Sequence, residues 1–236
     1  MQSYGGGVCQ VSTTLYNAVL KAELEVTQRS NHSMIVTYVK PSMDAAIAGD
    51  YKDLKFVNNL DAPIYIEGYT VGKDIYFNIY GQETRPSNRK VTYESEVVSE
   101  EDPGTQFVAT GDAIGSISTT QGKHMGYVAR LWKIVTVDGV EQSRDAINKS
   151  TYKSSPKIVN VGTASADPNA VAAVNAALAT GDEATIYATV AQYSGAGQTP
   201  SEAPAEAPAD SSAEAAAILG TVDESQITGN TTTEGQ

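Results

Sequence analysis

One cysteine and two histidines in 236 residues leave little material for metal or redox chemistry. A single thiol cannot close an internal disulfide, a multi-cysteine zinc site is excluded, and His32 and His124 stand 92 positions apart. No metal site and no cofactor is expected. Long apolar runs are missing too, since none approaches the roughly 20 residues that span a bilayer. The opening MQSYGGGVCQ has neither the basic start nor the apolar stretch of a secretory signal, so the chain reads as cytoplasmic or as one whose front end is missing. Basic side chains are absent from one whole end. Residues 164–236 hold ten acidic and no basic residues, which leaves 16 basic against 18 acidic over residues 1–163 and turns the net charge of −12 into −2 there. A nearly neutral body offers no basic field to nucleic acid or anionic lipid.

What is present divides into three regions. In residues 1–82, Val8, Val11, Leu15, Val19 and Leu20 recur at helical spacing, which predicts an amphipathic helix over 9–24. Short β-rich runs follow at 34–39, 45–48, 54–59, 63–71 and 74–81, separated by turn signals such as VGKD. The expected module is α+β, one main helix packed on an antiparallel sheet. Residues 83–163 alternate apolar and polar side chains, with Asp138-Gly139 as a hairpin signal, and predict an elongated all-β module read as a plain solvated sheet without a pocket. Residues 164–236 form an acidic tail rich in Ala, Ser, Thr and Pro, in which two short helices are expected before disorder from about Gly195.

Three glycines, 5 to 7, precede Cys9 at the predicted helix start. Unpaired N–H groups and the positive helix end favour thiolate over thiol there, and the amides of Cys9 and Gln10 are placed to hold a developing oxyanion. A thiol nucleophile needs a base, and His32 is the histidine of this region. Asp44 is the candidate to orient it, provided that 33–39 and 45–48 pair as a hairpin. Helix-Cys, strand-His, strand-Asp is the order used by transglutaminase-like cysteine enzymes, an analogy only. The plainer reading is a small buried thiol and a satisfied polar histidine. Ser12, Thr13 and Thr14 are set aside as nucleophiles, because hydroxyls within a helix bond the preceding turn's carbonyls. Tyr16, Tyr38, Tyr51 and Trp132 read as core or half-buried sheet positions rather than sugar platforms.

These residues carry a resemblance. The motif GGG-x-CQ-x-S-x-x-LYNA, Arg29 with His32 and Ser33 in R-x-x-HS, the pair Asp44-Ala45, and D-x-K-F-x-N-N over Asp53–Asn59 resemble a VanW domain, the family named for an accessory protein of vancomycin-resistance clusters. The second region, with VTYESEVV, VDGVEQSRDAI and SPKIVNVGT, resembles a G5 domain. The resemblance implies an extracytoplasmic protein of a Gram-positive-type cell wall, and a longer front end than the eight residues that precede Cys9. It further implies L,D-transpeptidation of peptidoglycan through a cysteine thioester, with stem peptides as substrates and wall glycan or N-acetylglucosamine as the partner of the second module. Cys9, His32 and Asp44 would then be catalytic. Gly7, Gln10, Arg29 and Ser33 would bind substrate, although Arg29 is read equally well as an ion-pair residue and Gln10 as a helix cap. A peptidoglycan cysteine peptidase and a non-catalytic wall-binding protein are the rival readings.

Overall fold

The structure is a computed structural model that describes residues 7–194. It is mostly β-sheet with three helices among the described residues. Helix α1 spans Val8–Lys21, three residues shorter at its C-terminal end than the spacing predicts. It stops because Glu23 takes a left-handed φ of 57°. Glu23 N then donates to the Leu20 carbonyl and Leu24 N to the Val19 carbonyl, closing the last turn without the glycine that normally marks such an end.

The rest of the first region differs from the expected sheet. It holds two separate antiparallel ribbons, β1 (Glu25–Gln28) with β2 (Lys55–Val57), and β3 (Tyr65–Val71) with β4 (Asp74–Tyr80). The β3–β4 turn falls at VGKD as predicted. Residues 34–39, expected as a strand, are irregular, and 45–48 contribute a bridge at Ala48 only. The reason lies in who takes the backbone of 45–46. Ser12 and Thr13 hydroxyls reach the Ala45 carbonyl, Thr13 Oγ1 accepts from Ala45 N, and Ala46 N donates to the Ser30 carbonyl. Helix side chains thus satisfy the groups that a ladder would have used. The helix-strand-strand order of transglutaminase-like enzymes is therefore not seen, since His32 and Asp44 both stand on irregular chain.

The second region is an all-β module of two three-stranded sheets. One has β5 (Arg89–Glu101), β8 (Gly126–Val137) and β9 (Val140–Tyr152) in the order β5-β8-β9, all antiparallel. The β8–β9 hairpin turns on Asp138 and Gly139, at φ 51° and 78°, the paired positive φ angles that an Asp-Gly turn supplies. The other has β6 (Thr105–Ala113) parallel to β10 (Lys157–Ala164), which pairs antiparallel with β7 (Ile117–Gln121).

Helices α2 (Pro168–Thr180) and α3 (Glu183–Tyr193) follow, capped by the carboxylates of Asp167 and Asp182. They do not trail away. Val174, Ala177, Ile186 and Val190 close a core with Val159 and Val161 of β10. The disorder expected from Gly195 onward lies outside the described residues.

A second core joins the first region to the second. Tyr16 and Leu20 of α1 and Ala45 pack on Leu131 of β8, which is wholly buried. Around this seam Tyr93 donates to the Leu20 carbonyl at 2.5 Å, and Glu23 pairs with Arg89 and with Lys133. The sheet β5-β8-β9 is thus packed against the helix that carries Cys9, not left solvated on that face.

Candidate active site at the junction of two domains

Gly7 precedes α1 with φ 96°, a left-handed conformation that glycine adopts without penalty, and its carbonyl receives the Val11 amide. The helix therefore begins one residue before Cys9. Cys9 sits in the first turn, half-buried, with its Sγ 3.6 Å from the Ile47 carbonyl. Gln10 is exposed beside it. Ser12 reaches the Cys9 carbonyl and Thr14 the Gln10 carbonyl, so these hydroxyls are tied to their own helix.

Asp44 is fully buried and its carboxylate is completely engaged. Oδ2 accepts from the His32 ring Nδ1 and from the His32 backbone N, each at 2.7 Å. Oδ1 accepts from Arg29 Nη2 at 2.6 Å and from the Tyr152 hydroxyl at 2.5 Å. Burial alone pushes the Asp44 carboxyl upward, but the two His32 bonds, the Tyr152 bond and the Arg29 charge outweigh it and hold the group below the ordinary carboxylate range. An ionised carboxylate only accepts, so Nδ1 of His32 is the donor of this bond, and in the neutral ring the lone pair then sits on Nε2. Facing that nitrogen at 3.3 Å is the hydroxyl of Tyr38, whose ring meets the imidazole edge-on. Burial pushes the Tyr38 phenol up, a hydrogen bond with Thr13 offsets part of this, and negative charge at Cys9 and Asp44 adds to the rise. Tyr38 therefore stands within the electrostatic reach of both ends of the constellation. Among the described residues no hydrogen bond joins the Cys9 thiol to the His32 ring directly.

Arg29, read from sequence as a partner for a substrate carboxylate, is turned inward. Its Nε donates to the Asp44 carbonyl at 2.6 Å and its Nη1 to Ser150 Oγ at 2.8 Å, while the guanidinium lies 5.6 Å from the Tyr16 ring centre. With 7% of its side chain exposed, it serves the protein's own carboxylate. Ser33 is exposed. Its hydroxyl receives Lys52 Nζ at 3.4 Å and its carbonyl the Lys153 amide at 2.7 Å. His124 stands apart, bridged to Ser155. A cleft of about 430 Å³ opens along the junction and is lined by Tyr16, Glu23, Arg29, Lys133 and Asn148, but neither Cys9 nor His32 lines it.

Comparison with known proteins divides the chain at the same seam. Residues 1–80 match the family model described as VanW like protein, and residues 83–164 match that of the G5 domain. The chain carries a VanW-like domain followed by a G5 domain. The uncharacterized protein YoaR of Bacillus subtilis (strain 168) is 38% identical over 82 residues, which is 35% of this chain and 27% of that relative. Among solved structures, the IgA1 protease G5 domain is 26% identical, covering 33% of this chain and 94% of that one with a TM-score of 0.24. The HP0197 G5 structure is 20% identical over 31% and 99%, with a TM-score of 0.17. The two domain families point to a cell-wall-associated protein.

The VanW-like domain thus gathers Arg29 and His32 around Asp44, with Tyr38 against the far nitrogen of the ring. The residues that sequence reasoning missed come chiefly from the G5 domain. Asn148, Ser150 and Tyr152 follow each other at every second position of β9, so they share one face of the strand, and all three bond the segment at Ser42. Ser42 is buried with a left-handed φ of 64°, two positions before Asp44. No local motif announces this clamp.

Proposed function

We propose that the VanW-like domain performs cysteine-dependent acyl transfer on peptidoglycan stem peptides, as an L,D-transpeptidase, and that the G5 domain binds wall glycan. The observation that carries this reading is the buried Asp44 carboxylate bonded to the His32 ring at Nδ1, which turns Nε2 away from it. Cys9 attacks the carbonyl of the donor stem, forming a thioester as the bond to the terminal D-alanine breaks. The thiol proton passes to His32 Nε2 and from there to the leaving amine. A side-chain amine of a second stem then attacks the thioester, gives its proton to His32, and leaves Cys9 as the thiol after that proton returns. In this scheme the Tyr38 hydroxyl must yield Nε2 to the thiol or pass the proton along. Amides at the start of α1, beside Gly7 and Gln10, would face the oxyanion, and exposed Ser33 would flank the substrate.

Water in place of the acceptor amine would make the same machinery a peptidase. Product analysis by mass spectrometry on isolated stem peptides separates these outcomes. Cross-linked dimers formed by the wild type and lost in Cys9→Ala and His32→Ala support transfer. Shortened monomers alone would replace it by hydrolysis, products unchanged in Cys9→Ala would remove Cys9 from the reaction, and no product from the wild type would leave a wall-binding protein.

A further inference from the structure

We infer that Tyr152 of the G5 domain is a positioning residue for the His32–Asp44 pair, so that the G5 domain is part of the reacting unit and not only an attachment module. The inference rests on the acyl-transfer reading for its chemistry, but its geometry is independent of that reading.

The Tyr152 hydroxyl does two things at once. It accepts the Ser42 amide at 2.7 Å and donates to Asp44 Oδ1 at 2.5 Å. Only 2% of Tyr152 is exposed, and burial together with the Asp44 bond and charge pushes its phenol up to about 12, so it remains a donor throughout the working pH range. Beside it, Ser150 links Arg29 Nη1 and Ser42 Oγ, and Asn148 donates to the Ser42 carbonyl.

The segment from Ser42 to Asp44 has no ladder of its own and includes a left-handed serine, a conformation that persists only where surroundings impose it. One face of β9 supplies the bonds to Ser42, while Asn17 of α1 donates to the Met43 carbonyl and Arg29 to that of Asp44. The groups facing Asp44 are Arg29 and His32 from the VanW-like domain and Tyr152 from the G5 domain, with Tyr38 beyond the ring. Of the donors to the carboxylate itself, Tyr152 is the one that comes from across the domain boundary. An acceptor held so tightly fixes the imidazole plane and its tautomer together.

The test uses the full chain labelled with 15N only at histidine, which gives signals from just two rings, His32 and His124. In the wild type the His32 ring shifts report the protonation of Asp44 as an acidic inflection. Tyr152→Phe keeps the packed ring and removes the hydroxyl. It is expected to move that inflection to higher pH by about one unit, a roughly tenfold easier protonation. Tyr93→Phe is the control, because it removes another cross-domain phenol, half-buried, that bonds the Leu20 carbonyl and not the site. It should lower the melting temperature and leave the inflection in place. An inflection unmoved in Tyr152→Phe, or moved equally in Tyr93→Phe, overturns the inference. Should Tyr152→Phe fail to fold, Ser150→Ala is read by the same criterion, since it removes the bond by which β9 of the G5 domain holds Arg29 Nη1 while that guanidinium faces the same carboxylate.

Where cross-linking is measurable, Tyr152→Phe should lower kcat about tenfold with KM little changed, and an unchanged kcat would count against the inference. An inflection that moves in a chain whose Cys9→Ala variant still forms every product would leave Tyr152 positioning Asp44 and would overturn the reaction instead.

Discussion

His32 Nδ1 and Asp44 Oδ2 lie 2.7 Å apart, on residues separated by twelve positions along irregular chain. A bond of this kind selects the tautomer of the ring, so Asp44→Asn should act through His32 and not through substrate binding. The amide can present an N–H to Nδ1 and favour the opposite tautomer. Cross-linking turnover should fall by about two to four orders of magnitude with a much smaller change in KM. A variant within tenfold of wild type would show that the ring is not held for proton transfer.

Stability should decline in acid through two carboxylates at or near the domain seam. Glu23 is held down to about 2 from 4.5, first by its hydrogen bond to Arg89 and then, against the cost of burial, by Lys133. Asp44 is lowered as well. A group whose folded value lies below its unfolded one stabilises the protein above the unfolded value, and that contribution is lost as pH falls through the folded value. For Glu23 the contribution disappears as the pH drops from 4.5 towards 2. Urea unfolding midpoints measured from pH 7 to pH 2.5 should fall through this window, and Glu23→Gln should be weaker at pH 7 and flatter below pH 5. An equal slope in both proteins would contradict the assignment.

Leu131 belongs to β8 of the G5 domain but is buried against Tyr16, Leu20 and Ala45 of the VanW-like domain. Leu131→Ala should cost about 2–5 kcal/mol and should lower cooperative unfolding of both domains together. Chemical denaturation followed by Trp132 fluorescence and by far-ultraviolet circular dichroism checks this. Two well-separated transitions already present in the wild type would mean that the seam does not couple the domains.

At Gly7 a Cβ would meet nothing within 4 Å, so the cost of a side chain comes from φ 96° alone. Gly7→Ala should destabilise by about 1–2 kcal/mol and reduce turnover more than it reduces stability, because the amides that follow it are those offered to the oxyanion. Thermal unfolding and initial rates on the same preparation separate the two effects.

How much of this was legible in the sequence depends on the range of the interaction. The helix behind Cys9 follows from apolar spacing, the β3–β4 and β8–β9 hairpins from VGKD and Asp138-Gly139, and α2 and α3 from a local composition suited to helices. The run 34–39 shows the limit. Ile35, Val36, Thr37 and Val39 have strand chemistry, but a strand needs a partner, and the neighbouring backbone is already taken by Ser12 and Thr13. The contact between His32 and Asp44 is present without the hairpin invoked to create it. Tyr152 and Ser150 reach Asp44 and Ser42 across 108 positions, from a strand whose alternation looks ordinary. Arg29 was visible as a charge in a motif, but its inward direction is set by Asp44 and by that distant serine.

The central claim is that Cys9 forms the acyl bond, and intact-protein mass spectrometry tests it most directly. The wild type is incubated with donor stem peptide in the absence of an acceptor amine and quenched in acid. A mass increase equal to the donor acyl group without its terminal D-alanine, present in the wild type and in His32→Ala at a reduced rate but absent from Cys9→Ala, is the predicted result. An adduct that persists in Cys9→Ala, or a wild type that turns over donor and acceptor while never carrying the acyl group, would contradict it.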